Sequence, residues 1–283
     1  MLSDPRFDKD RIIRTNDHLL KDSYIWILEN DTFLQWQAGE GSRLLWVRGD
    51  PGKGKTMLLC GIIEELQRQA SGSRIVYLLC QATDANLNSA NAVLRGLLYL
   101  MIKDEPDLIK DLRESHYSRQ LFEDANGWDV LCRMFTDVMS RSASGGTTII
   151  VDALDECIKD RTNLLEFIVK LPSTSTKVLV SSRNWPLIER GLAPTVHKAA
   201  HLSLELNEHS VSAAVVTFIK HKVDQLMNTH EYDLETRDLV YNHLVEKASN
   251  TFLWAALVCR QLTDIHLDNW NVESKLRIPA RSQ

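Results

Sequence analysis

The feature that most constrains the fold of this chain is a glycine-rich stretch that follows an apolar run. The run occupies residues 44–47, and the stretch reads Gly49, Asp50, Pro51, Gly52, Lys53, Gly54, Lys55 and Thr56. It matches the phosphate-loop pattern G-x-x-x-x-G-K-[ST] at every fixed position. Apolar residues then recur at helical spacing over residues 57–66. The sequence therefore predicts a buried strand, a glycine loop and a helix, in that order.

This order of elements is suited to binding nucleotide phosphates. Glycines let backbone N–H groups turn toward phosphate oxygens, and the N-terminus of the next helix adds a partial positive charge. We expect residues 49–56 to form the nucleotide-binding loop, with Lys55 at the β- and γ-phosphates and the Thr56 hydroxyl on Mg²⁺. The expected ligand is ATP or GTP, because the residues that read the base cannot be placed from the sequence.

A second stretch supplies the acids that such a site requires. An apolar run at residues 147–151 is followed by Asp152, Asp155 and Glu156. A carboxylate at the end of such a strand holds Mg²⁺, usually through water, so we assign Asp152 to the metal. Asp155 and Glu156 are the candidates to position or deprotonate the attacking water.

A cation follows another predicted buried strand. Residues 177–182 lead directly into Arg183. A side chain at the carboxyl end of a neighbouring parallel strand faces the ligand crevice of an α/β sheet. Arg183 therefore either senses the nucleotide phosphates or forms a surface ion pair, which would contribute little to stability.

The rest of the chain first alternates short apolar runs with amphipathic segments. Further strand-like runs lie at residues 75–80 and 201–204, the second within an expected loop, and helical spacing lies at residues 88–103, 128–139 and 163–171. This alternation predicts an α/β fold, a three-layer P-loop domain with a parallel sheet. From Glu208 onward only helical spacing occurs, which predicts an all-α helical subdomain.

We divide the chain where these patterns change. Residues 1–42 form an N-terminal linker and helix, residues 43–207 the P-loop domain, and residues 208–283 the helical subdomain. In the first region, the spacing of apolar residues predicts a helix from about Leu20 to Glu29. This helix packs on the edge of the nucleotide domain, or else part of residues 12–24 closes over the base of the nucleotide.

Composition excludes several functional classes. The chain is 44% hydrophobic and 25% charged, as globular proteins are, and its net charge of −5 argues against a nucleic-acid partner. No apolar run is long enough to span a bilayer, and residues 1–14 are too charged for a signal peptide. The five cysteines form no C-x-x-C pair, which favours free thiols in a reducing compartment. We expect a cytoplasmic protein.

Taken together, these motifs resemble a fungal NACHT domain. The resemblance rests on the phosphate loop, on the acidic strand end at residues 152–157 and on the stretches at residues 94–97, 181–184, 204–207 and 252–255. It runs from about Asp8 to Pro279. NACHT domains are the NTPase modules of NOD-like receptors and heterokaryon-incompatibility proteins, also described as nephrocystin-3-like. They belong to the STAND class of AAA+-related NTPases.

The resemblance implies a parallel sheet with an extra strand between the two Walker strands, followed by a helical bundle. It also implies a nucleotide-operated switch with slow hydrolysis, in signalling such as fungal non-self recognition and regulated cell death. The implied partners are a second copy of the chain or signalling proteins. Its motifs match the roles given above: phosphates for Lys55, Mg²⁺ for Thr56 and Asp152, hydrolysis for Asp155 and Glu156, and the sensor position for Arg183.

The chain departs from the family pattern in three respects. The residue after the first Walker B acid is often glycine in NACHT domains, and here it is Ala153. A Gly-x-Pro that contacts the nucleotide in animal and plant relatives is replaced by Asn250, Thr251 and Phe252. The winged helix and the sensor repeats of the family are expected to be absent. The alternative is therefore a non-hydrolysing, nucleotide-bound oligomerisation or scaffold module, or a truncated fragment.

Overall fold

The structure is a computed structural model. It describes residues 4–16, 18–69, 72–103, 105, 127–141, 146–173, 175–196, 200–230 and 233–263. The end of the family resemblance, near Pro279, lies outside these residues.

Five parallel strands form one sheet within the described residues. They are β1 (Leu44–Arg48), β2 (Arg74–Leu79), β3 (Thr147–Asp152), β4 (Thr176–Ser182) and β5 (Ala200–Ser203), in the order β2-β3-β4-β1-β5. Strand β4 thus separates β1, which leads into the phosphate loop, from β3, which ends in Asp152. The α/β fold and the extra strand between these two strands are confirmed.

Helices cover the sheet, and this explains why its inner strands carry consecutive apolar residues in the sequence instead of alternating ones. Every residue of β3 is buried, and so are the first four residues of β1. A parallel strand that is covered on both faces has no solvent side, so polar and apolar residues do not alternate along it. The covering elements include α1 (Pro5–Thr15), α3 (Asp31–Ala38), α4 (Lys55–Gln69) and α5 (Ala90–Ile102).

Further helices surround this layer. Helix α6 (Gly127–Arg141) packs on α5, and α7 (Arg161–Lys170) packs on α8 (Pro186–Val196). The helices predicted near residues 57–66, 88–103, 128–139 and 163–171 are confirmed. Ser89 shows why α5 begins where it does, because its side chain accepts a hydrogen bond from the N–H of Ala92 and so caps the first turn.

Two local predictions were wrong. The helix expected from about Leu20 to Glu29 is a 3₁₀ turn, Lys21–Ser23, followed by the one-turn helix α2, Ile25–Leu28. Asn30 then caps α3 by accepting a hydrogen bond from the N–H of Thr32, so the chain starts a new helix instead of continuing the old one. The loop expected from residue 194 begins later, because α8 extends through Val196; Pro186 starts this helix where a missing N–H costs nothing.

The chain divides into two compact units. One comprises Met1–Leu19, Ile27–Gly49 and Lys55–Ser203, and the other comprises Leu20–Trp26, Asp50–Gly54 and Leu204–Gln283. In the second unit, α9 (Glu208–His230) packs on α10 (Leu234–Lys247), on α11 (Phe252–Thr263) and on the 3₁₀ turn. The boundaries at residues 42 and 207 that the sequence suggested stay a prediction.

Candidate nucleotide-binding site

The phosphate loop starts at the carboxyl end of the sheet. The N–H of Gly49 donates to the carbonyl oxygen of Ser182 at 3.3 Å, which ties the start of the loop to the end of β4. Gly52 and Gly54 have φ angles of 77° and 80°, in the left-handed region that glycine adopts without strain. Lys55 is the first residue of α4, so the loop ends at a helix N-terminus whose first N–H groups have no partner within the helix.

The loop is held by one of its own side chains and by an acid outside it. The Lys55 ammonium donates to the carbonyl oxygen of Gly49 at 2.5 Å, so the side chain folds back along the loop. The N–H of Asp50 donates to Oε1 of Glu205 at 2.7 Å. Sequence reasoning gave Glu205 no role in the site, because nothing in the local pattern connects it with a loop more than a hundred residues earlier.

In the second unit, the tip of the loop contacts the N-terminus of α11. The N–H of Leu253 donates to the carbonyl oxygen of Gly52 at 3.3 Å. A Cβ atom at Gly52 would lie 2.8 Å from Cγ2 of Thr251, and one at Gly54 would lie 2.8 Å from Cδ2 of Phe252. Both glycines are therefore required by close packing as well as by their φ angles. The stretch that replaces Gly-x-Pro is thus placed against the phosphate loop.

Asp152 is the buried acid of the site, with 1% of its surface exposed. Its Oδ1 accepts a hydrogen bond from the Ser181 hydroxyl, and the oxygen of that hydroxyl accepts one from the N–H of Ala153 at 2.8 Å. Its Oδ2 is buried and makes no hydrogen bond of ordinary geometry with the described residues. Burial raises the pKa of this carboxyl, against the opposing effects of the Ser181 and Thr56 hydroxyls and the Lys55 ammonium.

These residues fit a magnesium ion. A buried carboxylate oxygen without a partner is costly, and a cation is one way to satisfy it. Mg²⁺ takes oxygen ligands and keeps several waters, so it needs few protein groups. The Thr56 hydroxyl lies near enough to Asp152 to lower the pKa of its carboxyl. Asp152 and Thr56 are therefore the residues that could hold the metal, on the side of the loop where Lys55 begins α4.

Asp155 is engaged with Arg183 through both of its carboxylate oxygens. Oδ1 accepts a hydrogen bond from the backbone N–H of Arg183 at 3.0 Å, and Oδ2 lies 2.9 Å from Nε of the same residue. The side chain of Asp155 is 3% exposed and that of Arg183 is 41% exposed. Arg183 therefore does form an ion pair, but with a buried acid, so breaking the pair would leave a charge in the interior.

Glu156 points toward a different strand end. Its Oε2 accepts a hydrogen bond from the N–H of Ala82, which follows β2, at 3.0 Å. The chain turns between the acids because Ala153 has a φ of 52° and residues Leu154–Glu156 form a 3₁₀ turn. The structure thus brings Lys55 and Thr56 near the carboxyl group of Asp152, whereas Asp155 and Glu156 bind separate partners.

Two serines at the end of β4 complete the arrangement. Ser181 holds Asp152, as described, while the Ser182 hydroxyl accepts a hydrogen bond from Nε1 of Trp46 at 2.9 Å. Both serines are fully buried. Sequence reasoning gave Ser181 and Ser182 no role in the site and used them only as the end of a strand and as a mark of resemblance. Two hydroxyls in an apolar strand were nevertheless a usable signal, since buried polar groups need partners.

Comparison with known proteins identifies the family. A family model described as "Nephrocystin 3, N-terminal" matches residues 22–183. The chain belongs to this family. It is also 45% identical over 280 residues to vegetative incompatibility protein HET-E-1 of Podospora anserina. That alignment covers 98% of this chain and 21% of the relative, so the chain spans about a fifth of that protein's length. The two matches confirm the resemblance to a fungal NACHT domain.

Solved structures whose backbones partly superpose on this chain include three proteins of low sequence identity. A DNA replication initiation factor gives a TM-score of 0.49 at 12% identity, over 86% of this chain and 62% of its own. PCH-2 of C. elegans gives 0.44 at 12% identity, over 95% and 68%. The Aeropyrum pernix Orc1 protein, solved in complex with DNA, gives 0.41 at 11% identity, over 88% and 80%. In the described part of the chain, no helix is long and apolar enough to cross a membrane.

Proposed function

We propose that this NACHT-type P-loop module is a nucleotide-operated switch that binds ATP or GTP with Mg²⁺ and hydrolyses it slowly. The observation that supports it most is the grouping of Lys55 and Thr56 near the buried carboxyl of Asp152, whose Oδ2 makes no hydrogen bond of ordinary geometry with the described residues. A cation, a hydroxyl and a buried carboxylate at a helix N-terminus are the groups that a magnesium–triphosphate requires.

Each residue has a role in this proposal. The N–H groups of residues 49–56 and the Lys55 ammonium bind the phosphates, and Thr56 and Asp152 hold the metal. When bound, Mg²⁺ would neutralise charge on the β- and γ-phosphates. Glu156 is the acid placed to orient or deprotonate the attacking water, since it is only partly buried while Asp155 is engaged with Arg183.

The switch requires that triphosphate and diphosphate favour different states of the module. A ligand shifts such an equilibrium only by the difference in its affinity for the two states. Arg183 is a suitable source of that difference, because it follows Ser182, whose carbonyl accepts the N–H of the first loop residue. Contact between Arg183 and the γ-phosphate would be lost after hydrolysis.

The biological setting is proposed from the relative. Its name describes a vegetative incompatibility protein. We propose that this chain acts in non-self recognition and regulated cell death in the cytoplasm. Its partners would be a second copy or signalling proteins. The net charge of −5 supports protein partners over nucleic acid.

A second candidate is a module that keeps nucleotide for assembly and does not hydrolyse it. One observation favours this candidate: Asp155 and Glu156, the two acids available for turnover, both accept hydrogen bonds from backbone N–H groups. An acid held in this way has less freedom to take a proton from water.

The test is to measure bound nucleotide and phosphate release on the purified protein. Lys55→Ala should abolish nucleotide binding, because it removes the charge that reaches two phosphates. Glu156→Gln should retain binding and lose turnover by about 10²- to 10⁴-fold, the usual contribution of a general base. Lys170→Ala, at an exposed position of α7, is the matched control and should change neither quantity.

Three results would change the proposal. If Lys55→Ala bound nucleotide with unaltered affinity, the phosphate loop would not be part of the nucleotide site. Nucleotide bound by the wild-type protein without any phosphate release would favour the assembly module. Neither binding nor turnover in the wild type would reject both candidates for this chain.

A further inference from the structure

We propose that Asp155 is a positioning residue, which orients Arg183 toward the γ-phosphate, and that it is not the base for the attacking water. This inference rests on the proposed nucleotide function and deepens it. It assigns different tasks to the two acids that follow Asp152. Glu156 activates the attacking water, and Asp155 orients the side chain of Arg183, which distinguishes triphosphate from diphosphate.

The first argument is that Asp155 holds Arg183 at two points. One carboxylate oxygen accepts the backbone N–H, at 3.0 Å, and the other lies 2.9 Å from Nε of the side chain. The contact with the backbone N–H fixes the position of the Arg183 main chain. The contact with Nε fixes the orientation of its guanidinium group. The remaining N–H donors of a guanidinium lie on its two terminal nitrogens, beyond Nε. A carboxylate in this position therefore aims the terminal nitrogens.

The second argument is the contrast in exposure within the pair. The Asp155 side chain is 3% exposed and the Arg183 side chain is 41% exposed. A residue that activates water has to meet that water, which a buried and doubly engaged carboxylate does poorly. A residue that senses a phosphate has to reach the ligand, and the arginine is the exposed member. The buried Asp155 is therefore the anchor of the pair, and the exposed Arg183 is the residue that can reach a ligand.

The third argument is that the segment carrying Asp155 is itself fixed. Arg161, at the start of α7, donates from Nη2 to the carbonyl oxygen of Asp155 at 2.7 Å and from Nε to that of Leu154 at 3.1 Å. The Arg161 guanidinium also lies over the ring of Trp185, at 5.0 Å from its centroid. These contacts tie the 3₁₀ turn after β3 to α7. The backbone of Asp155 is therefore held in place.

The location of Arg183 connects this device to the phosphates. Ser182, the residue before it, accepts the N–H of Gly49 through its carbonyl oxygen at 3.3 Å. Strand β4 lies between β3 and β1. Asp155 on one side and the phosphate loop on the other thus meet at the end of β4. A change at Asp155 is transmitted through one residue, Arg183, to the start of the loop.

The experiment measures the preference for triphosphate over diphosphate. Equilibrium affinities for ADP and for a slowly hydrolysed ATP analogue, both with Mg²⁺, are determined for the wild type, Asp155→Ala, Arg183→Ala and the double variant. Each single variant should lose the preference for triphosphate by about 10- to 100-fold, the effect of one charge-assisted hydrogen bond. The double variant should lose no more than Arg183→Ala alone, because Asp155 acts through Arg183.

Controls separate this role from a general loss of structure. Retained ADP affinity shows that a variant is folded. If Asp155→Ala does not fold, Asp155→Asn replaces it, since an amide oxygen can still accept the N–H of Arg183 but carries no charge. This variant should lose part of the preference. Glu156→Gln is the matched comparison, and it should keep the full preference while losing turnover.

Each other outcome is decisive. If Asp155→Ala keeps the full preference for triphosphate and loses only turnover, Asp155 is a base and the inference is wrong. If Arg183→Ala keeps the preference, Arg183 does not sense the γ-phosphate and the inference is also wrong. If the wild type binds neither nucleotide, the proposed function itself fails, which is a result distinct from the other two.

Discussion

Ala153 has a backbone conformation that residues with a side chain rarely adopt. Its φ and ψ are 52° and 55°, and for an L-amino acid this left-handed region costs roughly 1–2 kcal/mol. The conformation starts the turn that separates Asp152 from Asp155 and Glu156. It also explains the family pattern, because a glycine at this position would adopt the same turn without strain.

Substitutions at Ala153 should reveal this strain. Ala153→Gly should change the free energy of unfolding by about 1 kcal/mol or less, because relief of strain is offset by greater freedom of the unfolded chain. Ala153→Val should destabilise the protein by at least about 2 kcal/mol, because a β-branched residue is poorly tolerated at positive φ. Urea unfolding measures both. Ala213→Val, at an exposed position of α9, should cost well under 1 kcal/mol; an equal cost at both alanines would contradict the argument.

Ser181 is predicted to tune the metal site without touching the metal. Its hydroxyl donates to Oδ1 of Asp152, which leaves Oδ2 for the ion. Loss of such a supporting bond typically weakens metal affinity by about 10- to 100-fold. Ser181→Ala should therefore raise by that factor the Mg²⁺ concentration needed for nucleotide binding.

The neighbouring serine supplies the control for this measurement. The Ser182 hydroxyl interacts with Trp46 and with the carbonyl of Arg183, not with Asp152. In a Mg²⁺ titration of nucleotide binding, Ser182→Ala should keep the wild-type midpoint. The same midpoint in Ser181→Ala would show that Asp152 does not depend on Ser181.

At the scale of elements, the packing of α5 on β2 depends on one small residue. A Cβ atom at Gly96 would overlap Cδ1 of Leu78 and would lie 3.3 Å from Cγ of Pro5. Leu78 is 2% exposed, so its side chain has little room to move away. Glycine is the poorest helix former after proline, yet here it permits the helix to approach the sheet.

Gly96→Ala should therefore lower stability, although alanine favours helices by about 1 kcal/mol. Overpacking a core costs about 1–3 kcal/mol, so a net loss of about 1–2 kcal/mol is expected in thermal or urea unfolding. Leu78→Val removes the overlapping atom, so the double variant should be more stable than the sum of the two single effects predicts. A gain in stability from Gly96→Ala alone would show that helix propensity outweighs packing at this site.

The elements differ in how far the sequence predicts them. Parallel strands were predictable because burial on both faces favours consecutive apolar residues, as in the first four residues of β1 and at the centre of β3. Helix α1 was not predicted. It buries Ile12 and Ile13 but also Asp8 and Lys9, so its buried face has no simple apolar period. Helix α3 was not predicted either, although its cap, Asn30, lies in the polar stretch at residues 29–32, where a helix start could have been expected.

The candidate site shows the same division. Its residues could be proposed from strand ends and from the glycine pattern, which are local features. Their partners could not, because the bonds of Asp152 to Ser181 and of Asp155 to Arg183 join adjacent strands that are distant in sequence. Only the strand order brings β3 and β4 side by side.

At the scale of the whole molecule, the strand order also determines when the sheet can be completed. Strand β1 is made first but pairs with β4 and β5, which are made last. Leu44 pairs with Val178, roughly 130 residues further along the chain. Strands β2 and β3, by contrast, each pair with the next strand in sequence.

During protein synthesis, β1 therefore emerges long before its partners. At about 5–20 residues per second, the ribosome needs on the order of ten seconds to reach β4. Throughout this interval, the segment that contains Leu44, Leu45, Trp46 and Val47, each at most 1% exposed in the folded protein, has no neighbouring strand. Exposed apolar segments of nascent chains aggregate or are bound by chaperones. The phosphate loop, which follows β1 directly, is therefore translated long before the end of β4 to which Gly49 is hydrogen-bonded.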